Sequence, residues 1–261
     1  MTTISKLLTL ILVVGTASAA MWFIDVRGDT QVAMTLSPPT LEDGLVGHWT
    51  FDGKGMPQGQ VNDRSGQGNH GSQVNMSTST AYTEGTIGQA LRFDGTNDLV
   101  EASSTDYAIT GDVTYAAWFR VDSVHPSFGG CIICQSYPQF DTPAGDMYGF
   151  HMYVGQGAGS LATRVYGVGE SAAYWDSGTI IQTDEWHHGV AVIEGTTLTL
   201  YYDGAFSGQD TISSRTYAGN VWIGGEQYNS TSFLDGNLDD VRIYNRALSA
   251  DEIKQLYQMG R

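Results

Sequence analysis

Basic residues are scarce in this chain: 12 of 261 residues are Lys or Arg, against 28 Asp or Glu, for a formal net charge of −16. Binding to phosphate needs clustered Lys and Arg, so nucleic acid is excluded as a partner and adsorption on anionic lipid is disfavoured. Carboxylates without counter-charges are, in contrast, what a hard cation such as calcium takes as ligands. Charged residues of both signs make up only 15% of the chain, well under the roughly 25% of ordinary soluble domains. Cysteine is nearly absent. Cys131 and Cys134 are the only two, which excludes a scaffold built on disulfides. Their spacing is that of a thioredoxin-type redox pair, but that chemistry needs a helix N-terminus after a strand. The surrounding Gly-Gly-Cys-Ile-Ile-Cys-Gln reads as a short apolar β-run. Three readings stand: two small core thiols, a local disulfide, or the redox pair that this context argues against.

What fills the chain instead is 33 glycines with Ser, Thr and Tyr, and 41% hydrophobic residues. That is enough apolar material for a real core, and a composition of strands and turns. The long apolar run lies at the N-terminus. Lys6 precedes Leu7 to Ile24, which as a helix covers roughly 27 Å, just enough for a bilayer core of about 30 Å. Ala17-Ser18-Ala19 inside it is a small-x-small cleavage site, while Met21-Trp22-Phe23-Ile24 carries the apolar character past that site and suits an uncleaved anchor. A signal anchor or a signal peptide is therefore expected over 1–26, and either exports the rest. Pro38-Pro39 makes 27–43 an extended linker, and the domain proper begins at Gly44.

From there short alternating segments recur between Gly and Asp turns. Val46 to Asp52 alternates with period two; Ala90 to Val100 reads as strand, turn, strand about Asp94-Gly95; Val113 to Val121, Trp186 to Ile193 and Thr197 to Tyr202 follow. In the last strand Asp239 alternates with Val241 and Ile243, on the apolar face. Trp49, Trp118, Trp186 and Trp222 read as core anchors. This pattern predicts an all-β, two-sheet antiparallel sandwich. One short C-terminal helix is signalled by Ser249 and Glu252, a capping box before Ile253 and Leu256, and the N-terminal run is expected as an apolar helix. His187-His188 cannot chelate one ion, because successive strand residues point to opposite faces.

The segments GLVGHWTFDG (Gly44–Gly53), DRSGQGNHG (Asp63–Gly71), GQALRFDG (Gly88–Gly95), EWHHGVAV (Glu185–Val192), LYYDG (Leu200–Gly204) and LDGNLDDVRIYNRAL (Leu234–Leu248), in this order, resemble a LamG-like jelly-roll domain of the concanavalin A-like lectin/glucanase superfamily. The resemblance covers 44–261. It implies a concave and a convex sheet, and a structural calcium on the convex face held by Asp52, Asp239 and the carbonyl of Gly95. The E-x-D-x-x-E spacing of the superfamily's glucanases does not occur here, nor does the tyrosine–arginine cluster of sialidases, so a non-catalytic module is expected. Aromatics near loops suit sugar stacking, chiefly Tyr174, Trp175 and Tyr228. The expected function is an exported, surface-displayed module, attached to the membrane through its N-terminal segment, that binds carbohydrate or another surface ligand in adhesion. The alternative is a structural or assembly protein of the cell envelope or a surface appendage, a homo-oligomer in which the N-terminal helix packs against copies of itself.

Overall fold

The computed structural model describes residues 20–22, 33–35, 39–53, 59–77, 81–102, 109–124, 129–138, 147–155, 160–167, 170–212, 216–217, 220–226 and 232–261. The chain divides into two units, Met1–Asp43 and Gly44–Arg261. In the first, strands β1 (Ala20–Trp22) and β2 (Ala33–Thr35) pair antiparallel. The apolar helix expected up to Ile24 therefore does not include Ala20–Trp22, whose backbone groups are committed to an inter-strand ladder. The remainder of that run lies outside the described residues. Among the described residues no helix is long and apolar enough to cross a membrane.

The second unit is all-β but for one helix. It runs through β3 (Leu45–Trp49), β4 (Gln60–Val61), β5 (Gly71–Val74), β6 (Tyr82–Glu84), β7 (Gln89–Asp94), β8 (Leu99–Ala102) and β9 (Ile109–Thr110). Next come β10 (Val113–Ser123), β11 (Gly130–Pro138), β12 (Met147–Val154), β13 (Ser160–Gly167) and β14 (Glu170–Ile180). The chain ends with β15 (Trp186–Glu194), β16 (Thr197–Tyr202), β17 (Ala205–Thr211), β18 (Thr216–Tyr217), β19 (Asn220–Ile223), β20 (Asp235–Tyr244) and α1 (Ala250–Met259). The first sheet has the order β17-β16-β15-β10-β20-β7-β6, with β3 also on β20; the second has β14-β13-β12-β11-β19-β8-β5-β4. Every pairing is antiparallel, as in a sandwich built from hairpins and long returns.

Alternation decides which residues enter the core. Val113, Tyr115, Ala117, Phe119 and Val121 of β10 point inward with Ala191 and Ile193 of β15 and Leu238, Val241 and Ile243 of β20. They meet Ile132, Ile133, Phe150, Met152, Val221 and Ile223 of the second sheet. Tyr115 stacks on Phe150 with centroids 4.0 Å apart, and donates its hydroxyl to the buried Gln135 at 2.7 Å. Of the tryptophans expected as core anchors, Trp49 lies in this core. Trp118 and Trp222 are buried outside it, because each lies between two inward-facing neighbours, Ala117 and Phe119 or Val221 and Ile223, and so faces the other way. Trp186 is half-exposed at the start of β15. The Asp203-Gly204 turn has positive φ at both residues, 49° and 74°, which matches the right-handed twist of a two-residue hairpin. Asp94-Gly95 does otherwise than expected. β7 and β8 belong to different sheets, so this turn is an arch between layers and not a hairpin.

Helix α1 has the full capping box, Ser249 and Glu252 each accepting from the other's backbone, with Glu252 also 2.6 Å from Arg246 Nη2. Its buried Ile253 and Leu256 and Tyr257, stacked on Trp118 at 5.5 Å, cover the outer face of the first sheet.

Candidate functional site

The expected metal ligands sit where β20 changes partner. Its first half pairs with β7 through Leu238, and its second half pairs with β3 from Val241 onward. Between them Asp240 takes a left-handed φ of 47° and makes a bulge against β10. The bulge resets the alternation. Asp239 faces Trp118 on the outer side of the sheet, not the apolar face of Val241 and Ile243. The gap is filled by the turn between β6 and β7. Asp239 Oδ2 accepts from Ile87 N at 2.8 Å and Thr86 Oγ1 at 3.2 Å, and Asp52 Oδ1 accepts from Gln89 N at 2.8 Å. The glycines of this turn are required. A Cβ on Gly85 would lie 2.4 Å from Asp239 Oδ2, and one on Gly88 would lie 2.1 Å from Asp52 Oδ1.

Asp52 and Asp239 are thus brought to one turn although 187 positions separate them (239 − 52). Asp239 is fully buried, and its Oδ1 has no hydrogen-bond partner among the described residues. Burial pushes its carboxyl up to about 7, with the charge of Asp240 adding to the shift and the Ile87 amide opposing it. Asp240 behaves oppositely: burial favours a rise, but His48 Nε2 at 2.6 Å and the guanidinium of Arg242 at 3.0 Å hold it below the usual carboxylate range. The orphaned Oδ1 is the observation that bears on the expected calcium, although among the described residues no group of three or more His, Cys, Asp or Glu could hold a metal ion. Gly95 does not join Asp52 and Asp239. It lies beyond the far end of β7, where a Cβ would meet Asp235 Cβ at 2.8 Å.

At that far end there is a half-open cavity of about 150 Å³, lined by Asp94, Gly95, Val121, Ser123, Val124, Gly130, Val154, Phe233, Leu234 and Asp235. Asp235 is tied by Arg92 Nη2 at 2.7 Å and by the hydroxyl of Ser123. Asp94 Oδ1 accepts from the amides of Thr96 at 2.8 Å and Asn97 at 3.3 Å. Phe233 forms a half-exposed aromatic wall, packed so close over Gly225 that a Cβ there would lie 2.5 Å from its ring. The cavity therefore combines fixed acceptors with an apolar wall, the usual make-up of a small-ligand site. The Asp94-Gly95 and Leu234-Asp235 segments are visible in the sequence as turn and strand start, but nothing there brings them together.

The second sheet's outer face carries the cysteines. They form a disulfide, Cα–Cα 6.2 Å, which overturns the reading as two core thiols. Three residues apart on a regular strand they face opposite ways, but the register passes over Ile132: Cys131 opposes Tyr153, Ile133 opposes Met152 and Cys134 opposes His151. This bulge brings both sulfurs to one face. Buried beside them are Trp222, opposite Cys134, and His151 with Glu226, 3.5 Å apart. Tyr174 opposes Arg164, which opposes His151, whereas Trp175 opposes Thr163, which opposes Met152. Tyr174 and Trp175, expected near a ligand, thus both lie within β14 and not in a loop. Tyr228 lies outside the described residues. His187 and His188 also part: His187 Nδ1 is 3.0 Å from Asp203 Oδ2, while His188 lies against Trp118, its pKa lowered to about 4 by burial.

No curated protein sequence matches the chain. Among solved structures it resembles domain 4 of AbnA, a GH43 extracellular arabinanase from Geobacillus stearothermophilus, in complex with arabinotriose. The TM-score is 0.60 at 17% identity, over 82% of this chain and 98% of that one. It also resembles the binding domain of Paraclostridial Mosquitocidal Protein 1, with a TM-score of 0.60 and 15% identity over 84% of this chain. The binding domain of Botulinum neurotoxin DC in complex with SialylT gives 0.63 and 11% over 85%. This chain spans about half of each toxin chain, 52% and 53%. At these identities the likeness shows the fold. The model of a laminin G type family, described as the concanavalin A-like lectin/glucanases superfamily, matches residues 94–254, from the arch of the cavity to the capped helix, and with more than half of the chain so matched the protein belongs to that family.

Proposed function

We propose that this protein is an exported, surface-displayed, non-catalytic binding module whose ligand is a carbohydrate. The observation that carries this reading is the cavity beside Phe233, where Asp94 and Asp235 are held in place by neighbouring donors and offer oxygens to ligand hydroxyls. Sugars present both an apolar face and hydroxyl donors, and this cavity presents the complement of each. Similar folds in complex with arabinotriose and with SialylT support the same ligand class. Export and display rest on the apolar run from Leu7 to Ile24. A calcium ion is proposed as a structural stabiliser, held by Asp52, Asp239 and the turn at 85–88, where it would neutralise two acids at the break in β20; it has no part in ligand chemistry.

The test is a glycan array probed with the full chain, with calcium and with chelator, repeated with Asp235→Asn. A signal on a narrow sugar class that the variant loses supports the reading. An array blank under both conditions overturns it. Accessibility of the chain to protease added to intact cells tests display, and full protection overturns that part.

A further inference from the structure

We infer that the cavity recognises a single neutral sugar residue and discriminates against acidic sugars, an inference that rests on the carbohydrate reading above. Size comes first. A water-sized group occupies roughly 10–15 Å³ of such volume, so about 150 Å³ holds on the order of ten non-hydrogen atoms, the size of one pentose or hexose ring with its hydroxyls. Drug-sized or extended ligands use pockets of about 300 Å³ and more. There is room for one residue and not for a run of them.

Charge decides the class. No Lys, Arg or His lines the cavity among the described residues, while Asp94 and Asp235 do. Two arginines of this region are already committed among the described residues. Arg92 bridges Asp235 at 2.7 Å and Asp122 at 3.0 Å, and Arg120 lies 3.6 Å from both Asp122 and Asp184. Asp98, buried behind the arch, accepts from Asp94 N at 3.1 Å. Against Arg92 and Arg120 stand Asp94, Asp98, Asp122, Asp184 and Asp235, on a chain of net charge −16. A sialic or uronic acid carboxylate entering here meets like charge at close range and, among the described residues, finds no free guanidinium to take it up. Hydroxyl donors meet carboxylate acceptors, and a ring face meets Phe233. Of the two glycans seen with similar folds, the cavity suits the kind represented by arabinotriose and not the sialylated one.

The experiment is calorimetric titration of the full chain with neutral mono-, di- and trisaccharides drawn from its array hits, and with sialylated and uronic acid-capped forms of the same glycans, at two salt concentrations. The expected result is that the monosaccharide binds within about threefold of the trisaccharide, that acidic capping weakens binding at least tenfold, and that salt leaves neutral binding unchanged. Asp235→Asn is expected to weaken binding by about tenfold or more. Val124→Trp, at a half-exposed lining position, fills the cavity and abolishes binding while the melting temperature stays within a few degrees. Affinity that climbs steadily with chain length, a preference for acidic sugars, or indifference to both folded variants overturns this inference while leaving carbohydrate binding standing. A blank array removes the carbohydrate reading itself.

Discussion

Asp239 faces Trp118 across the ladder between β20 and β10, one residue before the left-handed bulge at Asp240. That step places its carboxylate beneath the turn of Ile87, buried and with one oxygen free of partners among the described residues. With a folded pKa of about 7 against an ordinary 3.8, its stabilising contribution belongs to the protonated form. It is complete below pH 4 and is lost as pH rises through 7. In chelator, stability is expected to fall between pH 5 and pH 7.5 with a slope of at most about 1.4 kcal/mol per pH unit. Asp239→Asn, which keeps the shape without the charge, is expected to flatten that slope. Thermal melts across this range check it, and equal slopes in both proteins would falsify the assignment.

Calcium is expected to act on the same carboxylate. Saturating calcium raises the melting temperature of the wild-type chain, by about 2.7 kcal/mol of stability at a hundredfold excess over the dissociation constant. Asp52→Asn and Asp239→Asn are each expected to remove the increase. Wild-type melting curves that superimpose with calcium and with chelator would rule the ion out.

The disulfide closes a loop with a sequence separation of three, so loop-closure entropy credits it with only about 2 kcal/mol. Replacing both cysteines by serine is expected to cost roughly that amount without changing the fold. Denaturant titration of the oxidised and double-variant proteins measures it, and loss of the cooperative transition would show that the bond organises far more than its own bulge.

Gly224 has φ +78°, and a Cβ there would lie 2.1 Å from the ring of Phe93. Gly224→Ala therefore combines backbone strain with overpacking, and is expected to cost about 2–4 kcal/mol. The midpoint in urea should drop at unchanged slope; a shift below about 0.5 kcal/mol would mean that the sheets separate here at little cost.

At the helix, Ser249→Ala removes one half of the capping box and should cost about 1 kcal/mol. Burial opposes the ionised Glu252, but Arg246 and Ser249 outweigh it and hold the carboxyl below its ordinary 4.5. Its contribution is present above that value and lost as pH falls through the lower, folded one. Glu252→Gln is expected to narrow the gap in melting temperature between pH 6 and pH 3.5.

Much of the architecture is legible along the chain. The alternation of β10, the Asp203-Gly204 hairpin and the Ser249–Glu252 cap all depend on neighbours within a few residues, and they are found as read. Where the reading fails, a bulge or a layer change intervenes. The bulge at Asp240 moved Asp239 to the other face, and the one at Ile132 joined two cysteines that a regular strand holds apart. The arch at Asp94-Gly95 looks like a hairpin because a local turn carries no mark of which sheet receives the next strand.

By itself, then, the sequence determined the class of fold, the acidic surface that excludes polyanions, and the family, since composition and periodicity act locally and sum along the chain. Tertiary structure alone decided that Asp52 and Asp239 share a turn, that Gly95 lines a cavity with Asp235, and that Cys131 and Cys134 reach one face. Those outcomes depend on strand order and register between segments up to 187 positions apart. One residue of slip exchanges every inward side chain for an outward one.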